Sequence, residues 1–572
     1  MNRRVLRSVA AICGGALLLS GCGSSVYPMV SGREAAAPDR FADGFFGTTY
    51  EIFVGSFADS DGDGIGDLNG IRENLDYLND GDPSGRDDLG VNALWLTPVF
   101  PSPTYHKYDA TDYRSIDPTF GTLADFDSLV KACHARGIRV LLDLAVNHTS
   151  KDHPWFREAA EALRACEQES AGSADESQSL LAAAAEKCPR IRWYHFSDSP
   201  QTGYERLPGT NWFYEARFWS GMPDLNLDEA AVRDEIEGTV GFWLDRGVDG
   251  FRLDAVTSYY TDEHERSEEF LAWFADAVHR KKKDAYLVGE AWEGQESYAQ
   301  LYRSGVDSFF DFAFAGQEGV IAQTVRGGKN GRRFAERMEQ EEALYASYRD
   351  TFINAPFYTN HDMARSAGYY AQDGENRVKL AMALNLLQSG NAFVYYGEEL
   401  GMKGSGRDEN KRAPFPWTGE DEKGKAAEAL LQTVCRGPED MEQFDASPFG
   451  SLAKQKKDRF SVYNYCREAI HLRARHPLIA EGRTKVVPED SDFGKELTGH
   501  PSVCGFTRVR PGSDGEEPVL ILVNTGAERQ TITPDPNDVD GWILLDSLTV
   551  GKERVKLVDA LVLPGYAVAV VR

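Results

Sequence analysis

The sequence predicts a (β/α)8 TIM barrel with a domain inserted after its third strand and a β-sandwich domain at the C-terminus. Short apolar runs alternate with amphipathic helical stretches from Thr48 onward, a pattern typical of a parallel sheet covered by helices. About 100 residues separate the third and fourth runs, far more than an ordinary strand–helix connection needs. Beyond residue 476, strand-like runs alternate with turns rich in Gly, Pro and Asp, which indicates a separate β domain.

Eight apolar runs are the predicted barrel strands, and helices connect them. Thr122 and Asp125 resemble a capping box at the start of the helix before the third strand, and Cys133 lies on its apolar face, so we expect this cysteine in the core. Eight such strand–helix units favour a closed parallel barrel. The runs are Thr49–Val54, Ala93–Leu96, Val140–Leu144, Gly250–Leu253, Tyr286–Val288, Phe309–Phe312, Ala355–Tyr358 and Ala392–Tyr396.

The N-terminus reads as an export signal. Three arginines precede an apolar stretch that is too short to span a membrane. Leu19-Ser20-Gly21-Cys22 resembles a bacterial lipobox, in which the cysteine is acylated and becomes the new N-terminus. We therefore expect a lipoprotein anchored to the cell envelope through Cys22, with its folded domains outside the cytoplasm.

These patterns divide the chain into five predicted segments. Residues 1–21 are the signal peptide and 22–40 a tether rich in small residues. The barrel takes 41–147 and 216–476, the inserted domain 148–215, and the β-sandwich 477–572.

The net charge of the chain limits the classes of partner that it can bind. Its 90 acidic and 62 basic residues give a net charge of −28, which argues against nucleic acid and against electrostatic binding to anionic lipid. Neutral sugars and peptides stay open as substrates, and we expect a monomer.

Export also permits disulfides. Cys166 and Cys188 bracket an Ala/Glu-rich stretch and are the predicted pair, whereas no cysteine spacing indicates a zinc site.

Polar and charged residues follow four of the predicted strands. In a barrel of this kind the carboxyl ends of the strands meet at one mouth, where functional residues lie. Any one of these residues has an alternative reading as a structural ion pair or cap. Together, on four strands, they indicate a catalytic site. They are Asp143 and His148 after the third strand, Arg252 and Asp254 on the fourth, Glu290 after the fifth, and His361 and Asp362 after the seventh.

An acidic loop follows the first strand and has the spacing of a calcium site. Asp59, Asp61, Asp63 and Asp67 occupy positions 1, 3, 5 and 9, and Ile65 offers its backbone carbonyl at position 7. Position 12 is a glycine, so the loop is not an EF-hand. The sequence predicts bound Ca2+ here, with a solvated acidic turn as the alternative.

The strand-end segments resemble, in order and spacing, the four sequence regions of the α-amylase family of glycoside hydrolases, family thirteen. The segments are Asp143–His148, Gly250–Ala255, Gly289–Trp292 and Thr359–Asp362. A fifth segment, Met222-Pro223-Asp224-Leu225-Asn226, resembles the subgroup intermediate between oligo-1,6-glucosidases and neopullulanases. The resemblance runs from about Thr48 to the C-terminus and implies a barrel, a domain B and a domain C.

The resemblance also implies residue roles. Asp254 would be the nucleophile, Glu290 the general acid/base and Asp362 the stabiliser of the transition state. The implied substrate-binding residues are Arg252, His148, His361, and Tyr108 with its neighbours His106 and Asp109.

Calcium is implied in the acidic loop and also at a second site formed by Asn147 and Asp224. Ser258 and Thr257 stand where many family members have His and Lys, which weakens the second calcium site and one leaving-group subsite.

A retaining glycosidase needs one ionised and one protonated carboxyl group. Arg252 and Asp254 lie two residues apart on one strand and face the same side, so we expect the positive charge to keep Asp254 ionised. Burial and the nearby negative charges are expected to keep Glu290 protonated. We expect Asp143 to hold Arg252 rather than to react.

The function predicted from these features is retaining endo-hydrolysis of α-1,4-glucosidic bonds in starch, maltodextrins or related α-glucans. An exo-acting α-glucosidase, an oligo-1,6-glucosidase or a 4-α-glucanotransferase would carry the same carboxylates and stays open as an alternative. A non-catalytic glycan-binding lipoprotein on the same scaffold is disfavoured, because neither the nucleophile nor the acid is missing.

Overall fold

The computed structural model describes residues 45–169, 177–261, 263–370, 373–419, 430–512, 516–533 and 542–572. The predicted signal peptide, Cys22 and the tether lie outside these ranges. Within the described ranges, no helix has both the length and the apolar character that a membrane crossing requires.

Strands occur in the barrel, in the insertion and in the C-terminal region. In chain order they are β1 (Thr48–Ile52), β2 (Ala93–Leu96), β3 (Arg139–Leu144), β4 (Phe196–Ser197), β5 (Tyr204–Arg206), β6 (Phe213–Glu215), β7 (Gly250–Leu253), β8 (Tyr286–Gly289), β9 (Ser308–Phe309), β10 (Ala392–Tyr395), β11 (Arg483–Val486), β12 (Val503–Val509), β13 (Val519–Asn524), β14 (Gln530–Ile532), β15 (Leu544–Leu548), β16 (Lys556–Leu557), β17 (Leu561–Leu563) and β18 (Val568–Val571).

The α-helices are α1 (Val54–Phe57), α2 (Leu68–Glu73), α3 (Leu75–Leu78), α4 (Leu123–Ala135), α5 (Pro154–Glu169), α6 (Ser177–Lys187), α7 (Ala230–Leu244), α8 (His264–Lys281), α9 (Gln295–Gln300), α10 (Val320–Gly327), α11 (Gly331–Tyr348), α12 (Gly374–Leu386), α13 (Asp408–Lys411), α14 (Leu452–Gln455), α15 (Val462–Arg475), α16 (Leu478–Glu481) and α17 (Asp492–Thr498). Helix α4 begins with the predicted capping box of Thr122 and Asp125, and Cys133 is fully buried on its inner face, as predicted.

The barrel sheet is parallel and has the order β10-β1-β2-β3-β7-β8-β9. Every residue of β1, β2, β7, β8 and β10 is buried. Burial on both faces explains why these strands read as continuous apolar runs rather than as alternating patterns. The register places the ends of β3, β7 and β8 side by side, which sets the position of the site.

The predicted seventh strand closes the barrel without forming a regular strand. Asp311 N donates to Ala355 O (3.1 Å) on one side, and Phe393 N donates to Pro356 O (2.8 Å) on the other. Phe310 and Ala355 form a parallel bridge. Pro356 lacks an N–H, so the segment cannot donate at that position and the ladder stays incomplete. The fold prediction therefore holds, with this run reduced to a few backbone bonds.

The insertion after β3 contains α5, α6 and a small antiparallel sheet of order β4-β6-β5. The segment that leaves the insertion forms two β-bridges: Asp224 pairs with His148, which follows β3, and Leu225 pairs with Tyr194 inside the insertion. The predicted Cys166–Cys188 disulfide is wrong for this structure, because both sulfurs are unbonded. Cys166 is buried on α5, and the ion pair of Lys187 with Glu169 (2.6 Å) joins α6 to the end of α5 instead.

The C-terminal strands form two antiparallel sheets, one of order β11-β12-β13-β18-β15 and one of order β14-β17-β16. Apolar side chains from both sheets fill a common core that includes Leu522, Ile532, Leu561 and Ala569. This arrangement agrees with the predicted β-sandwich, and α11 packs against its first two strands through the buried ion pair of Arg508 with Glu342.

Candidate active site

Arg252 lies at the centre of the barrel mouth, and its side chain has no exposed surface. Its Nη1 contacts Asp143 Oδ1 (2.8 Å) and Asp254 Oδ1 (2.7 Å), and its Nη2 contacts Glu290 Oε2 (2.7 Å). The alternation of side chains along β7 puts Arg252 and Asp254 on one side of the strand. One guanidinium therefore holds three carboxylates, and Asp143 holds Arg252 as predicted.

Asp254 and Glu290 occupy equivalent positions on neighbouring strands. Leu253 pairs with Gly289 in the register of β7 and β8, and Glu290 N donates to Leu253 O (2.9 Å). Adjacent strands are about 4.7–4.9 Å apart, so the two carboxyl groups start from neighbouring backbone positions. The backbone N–H of Ala255 also donates to Glu290 Oε2 (3.2 Å).

His361 joins the two halves of the site. Its Nδ1 contacts Glu51 Oε1 (2.6 Å), and its Nε2 contacts Tyr108 OH (2.6 Å) and Asp362 Oδ2 (3.1 Å). Although burial opposes the charge, Asp362 and Glu51 raise the pKa of His361 to about 10, so the ring is protonated at neutral pH. Tyr108 stacks on the His361 ring and donates to Asp143 Oδ2 (2.8 Å).

Asp362 is held by cations. Arg412 Nη2 contacts its Oδ1 (2.7 Å), and Lys411 Nζ donates to its backbone oxygen (2.8 Å). Burial alone would raise the pKa of Asp362, but the charges of His361, Arg412 and Arg252 hold it well below its usual range. Asp362 is therefore ionised at neutral pH.

The other two carboxyl groups have raised pKa values. Burial raises the pKa of Asp254 to about 6, and Asp143 and Asp362 act in the same direction against Arg252. Burial also raises the pKa of Glu290, and the charges of Asp254 and Asp362 add to it. The Arg252 charge favours the ionised form of Asp254, as predicted, but the loss of hydration outweighs it, so the net shift of the pKa is upward.

Solvent reaches the three carboxylates but not the groups beneath them. The exposed fraction of the side chain is 31% for Asp362, 12% for Asp254 and 8% for Glu290, whereas Arg252 and His361 have none. A small ligand at the mouth would meet the carboxylates and Tyr108 first. Arg252 and His361 position these groups from below.

The remaining predicted substrate-binding residues differ in placement. His148 is buried, its Nε2 contacts Tyr108 O (3.2 Å), and burial lowers its pKa to about 4, so it is neutral. His106 Nδ1 accepts from Tyr108 N (3.1 Å) within its own loop. Asp109 is fully buried and accepts from the hydroxyls of Ser102 and Thr104. Asp109 therefore holds the loop, and its contact with a sugar stays a prediction.

Two residues of the site were absent from the predictions. Glu51 is a buried acid in strand β1, whose other residues are uncharged. A charged residue inside such a strand is unusual, and sequence analysis could have used it to predict a functional role. Arg412 directly follows α13, 50 residues after Asp362, and its Nη1 also donates to Tyr105 OH (2.7 Å). No spacing in the chain connects Arg412 to the strand-end segments.

The acidic loop brings three of its predicted ligands together. Single carboxylate oxygens of Asp59, Asp61 and Asp67 all lie within 4.8 Å of one another. Hard oxygen donors at this spacing fit a Ca2+ ion. Asp63 is outside this group, and its Oδ1 accepts from Ile65 N (2.7 Å).

The second calcium position implied by the resemblance has a different arrangement. Asn147 Nδ2 donates to Asp224 Oδ1 (3.1 Å), and both residues are buried. Burial, with Glu215 nearby, raises the pKa of Asp224 to about 7. The two side chains therefore contact each other directly, and the second calcium site stays a prediction.

Comparison with known proteins agrees with this geometry. The family described as α-amylase, catalytic domain, matches residues 51–482. α-Amylase 3 of Dictyoglomus thermophilum is 36% identical over 442 residues, which span 76% of this chain and 78% of that protein. Oligo-1,6-glucosidase of Heyndrickxia coagulans is 28% identical, spanning 87% of this chain and 94% of its own.

Among solved structures, Eubacterium rectale Amy13B is 39% identical and superposes with a TM-score of 0.81, covering 92% of this chain and 95% of that one. The family match and this structural likeness confirm the predicted fold class. Together with the three carboxylates at the barrel mouth, they show that the chain belongs to the α-amylase family and is a glycoside hydrolase of the kind that acts on α-glucans.

Proposed function

We propose that this protein is a retaining α-amylase that cleaves internal α-1,4-glucosidic bonds in starch and maltodextrins. The observation that carries the proposal is the placement of Asp254 and Glu290 on adjacent nitrogens of one guanidinium, at paired positions of neighbouring strands. Such closeness suits a retaining pair, which lies about 5–5.5 Å apart, better than an inverting pair, which must also hold a water.

The two carboxyl groups have complementary tasks. Above pH 6 the Asp254 carboxylate is ionised and attacks the anomeric carbon, forming a glycosyl-enzyme. Glu290, whose pKa is raised, donates its proton to the leaving glycosidic oxygen and then takes a proton from the water that hydrolyses the intermediate. Asp362, ionised and held by Arg412, stabilises the positive charge of the transition state.

Endo action on α-1,4 bonds is favoured by the relatives. The relative named α-amylase is 36% identical, against 28% for the oligo-1,6-glucosidase. The Met222–Asn226 segment supports the intermediate subgroup. Exo-acting glucosidases and 4-α-glucanotransferases share the same carboxylates and are the second candidate.

The products formed from maltoheptaose, pullulan and isomaltose test the proposal. We expect maltoheptaose to give a spread of shorter maltodextrins from the first minutes, with little cleavage of isomaltose. Proton NMR should show α-anomeric reducing ends first, drifting to the β form by mutarotation. Glucose and maltohexaose as the only early products would assign the exo alternative. Longer and shorter chains formed together, without net release of new reducing ends, would assign the transferase, and β-anomers formed first would exclude Asp254 as nucleophile.

We further propose that the acidic loop holds Ca2+ through Asp59, Asp61 and Asp67, with Asp63 and the Ile65 carbonyl as the remaining ligands predicted from the spacing. Bound calcium would neutralise the mutual repulsion of these acids. The close carboxylates of Asp59, Asp61 and Asp67 support this proposal.

We also propose, from the Leu19–Cys22 motif, that the chain is exported and anchored through an acylated Cys22, with its catalytic domains outside the cytoplasm. We expect it to act as a monomer. In cell fractions the wild-type chain should sediment with membranes, and Cys22→Ser should not. Equal sedimentation of both would contradict the anchor.

A further inference from the structure

Two buried acids lie outside the proposed active site and take no part in its chemistry. Asp311 comes two residues after the end of β9, and Glu341 lies on α11. Asp311 is fully buried, and only 2% of Glu341 is exposed. The two side chains hydrogen-bond to each other, which two ionised carboxylates cannot do because neither has a donor.

The groups that contact this pair are neutral donors. Tyr345 OH donates to Glu341 Oε1 (2.7 Å), and Tyr298 OH donates to Asp311 Oδ1 (3.2 Å). The amide nitrogen of Gln295 also donates to Glu341. Among the described residues, neither carboxyl group forms an ion pair with Lys, Arg or His, and Asp311 Oδ2 is buried without a protein donor. A proton on the pair would supply the donor and remove one of the two charges.

Burial and mutual repulsion determine which acid holds that proton. Two carboxyl groups in contact in a buried position do not both ionise, because each charge opposes the other. Burial raises the pKa of Glu341, and the charge of Asp311 raises it further. Burial also raises the pKa of Asp311 to about 6, but its hydrogen bond with Glu341 opposes the shift. At neutral pH the pair therefore holds one proton, on Glu341, and one charge, on Asp311.

The other titratable groups that face the pair keep their charge state as the pH rises above neutral. They are Tyr298 on α9, Tyr302 in the turn that follows α9, and Tyr345 and Arg337 on α11. Burial raises the pKa of each tyrosine well above its ordinary value, so all three stay neutral. Arg337 Nη2 donates to Gln295 Oε1 (3.0 Å) rather than to a carboxylate. The shared proton is therefore the first that this cluster loses.

Helix α9 connects the pair to the proposed general acid. Glu290 directly follows β8, and α9 begins at Gln295, five residues later. Gln295 and Tyr298, one helical turn apart, are the residues of α9 that donate to the pair. A second negative charge would repel the first and draw water into the buried contact, which weakens the attachment of α9.

We propose that Asp311 and Glu341 share one proton and that this proton keeps α9 in place. Through Gln295 and Tyr298, the pair positions the segment that begins with Glu290. Loss of the proton at alkaline pH places two charges in the buried contact and releases α9. Both acids are positioning residues, since they act through α9. The link to catalysis rests on the proposed role of Glu290, whereas the shared proton does not.

Infrared difference spectra test the shared proton with Glu341→Gln and the control Glu339→Gln. The glutamine amide keeps an acceptor for Tyr345 and offers Asp311 a permanent donor, so it imitates the protonated acid at every pH. Glu339 lies on the same helix, and its side chain is 36% exposed. At about pH 7, the spectrum of the wild type minus Glu341→Gln should contain the band of a protonated carboxyl group. The corresponding spectrum for Glu339→Gln should lack it.

Hydrogen exchange in residues 290–300, corrected for the intrinsic effect of pH, tests the release of α9. Because the folded pKa of Glu341 is raised, the stabilising contribution of its proton is complete at low pH and is lost as the pH rises through that pKa. Protection in the wild type and Glu339→Gln should fall at alkaline pH by up to about tenfold per pH unit, while Glu341→Gln keeps it. Asp311→Asn should also weaken this dependence, because a single charge has no partner to repel, and it replaces Glu341→Gln if that variant does not fold.

The pH profile of kcat on maltoheptaose tests the positioning of Glu290. We expect the alkaline limb to lie at higher pH in Glu341→Gln than in the wild type and Glu339→Gln. The absence of the carboxyl band, or an equal loss of protection in the wild type and Glu341→Gln, would overturn the shared proton, and an unshifted alkaline limb would overturn the positioning. Spectra and exchange need no substrate, so a chain that meets both expectations but cleaves no α-1,4 bond would contradict the proposed function alone.

Discussion

Asp254 shows how burial and charge compete at a single residue. Arg252 lies 2.7 Å away, and its charge was expected to favour the ionised form of Asp254. The pKa of Asp254 is nevertheless raised to about 6, because burial and the two other acids outweigh one shared guanidinium. The spacing of Arg252 and Asp254 was predictable from the strand, whereas the net direction of the shift depends on burial that only the folded barrel creates.

This pKa yields a stability prediction for Asp254→Asn. The folded pKa of about 6 lies above the unfolded value of about 3.9, so the folded state favours the protonated form. The stabilising contribution is therefore complete below about pH 4 and is lost as the pH rises through 6. At pH 7.5 the variant avoids burying this charge and should be more stable than the wild type by up to about 3 kcal/mol.

Urea unfolding at pH 4.5 and pH 7.5 checks this expectation, and activity should be lost in the variant. Asp127→Asn is the control, since the Asp127 side chain is 51% exposed. The control should change stability little at either pH. A gain for Asp254→Asn that is the same at both pH values, or a loss at pH 7.5, would contradict the assigned shift.

Glu51 and Arg412 mark the limit of sequence reasoning at this scale. Each contacts a predicted residue, Glu51 at His361 and Arg412 at Asp362, yet they lie 310 and 50 residues away from those partners. Motif spacing identifies residues that share a strand end. It does not identify partners that arrive from the first strand or from a distant loop.

At the scale of elements, the apolar runs predicted the barrel strands because parallel strands are buried on both faces. The seventh run is the instructive exception: its residues occupy the expected place, but Pro356 limits the ladder to a few bonds. The paired helices α5 and α6 of the insertion could not be placed from sequence. The position of α5 depends on the packing of its own Phe156 against Tyr194 and Tyr214 rather than on a local signal.

At the scale of elements, we predict that Ca2+ bound to the acidic loop raises the melting temperature and that Asp61 contributes to this effect. Asp61 is exposed, and its Oδ1 accepts from Asp63 N (3.1 Å), so Asp61→Asn can keep this bond while removing one ligand charge. Asp59 and Asp67 are poorer choices because each accepts several backbone bonds of the loop. Weaker binding to the native state reduces the stabilisation that a given calcium concentration provides.

The control is Asp82→Asn in a second exposed acidic turn, where Asp82 Oδ1 accepts from Ser84 N (2.9 Å) in a similar way. Calorimetry with about 1–10 mM calcium, a range that saturates weak extracellular sites, should give equal increments of melting temperature for the wild type and Asp82→Asn. Asp61→Asn should gain clearly less. An undiminished calcium response in Asp61→Asn would contradict the site.

At the scale of the whole molecule, a buried ion pair joins the β-sandwich to the barrel. Arg508 on β12 contacts Glu342 on α11 with Nη1 and Oε1 2.9 Å apart, and the Arg508 side chain has no exposed surface. Glu342 also accepts from Ser389 Oγ (2.6 Å) and Thr484 N (2.6 Å). The β domain itself was predictable from its turns. The contact between Arg508 and Glu342 was not, because it joins residues 166 positions apart and no pattern in either segment predicts it.

This junction predicts that Glu342→Gln destabilises the whole molecule. Every partner of Glu342 is a donor, so the amide nitrogen of a glutamine would face N–H or O–H groups and leave Arg508 buried without a counter-charge. Breaking a buried pair in this way costs about 3–5 kcal/mol.

Glu553→Gln is the matched control, because its pair with Arg529 is about 60% exposed and such pairs contribute about 0–1 kcal/mol. Thermal and urea unfolding should show a marked loss of stability for Glu342→Gln. The barrel and the β-sandwich should unfold in one transition, because the buried charge lies between them. Equal stability of the two variants would show that apolar contact, and not this ion pair, holds the domains together.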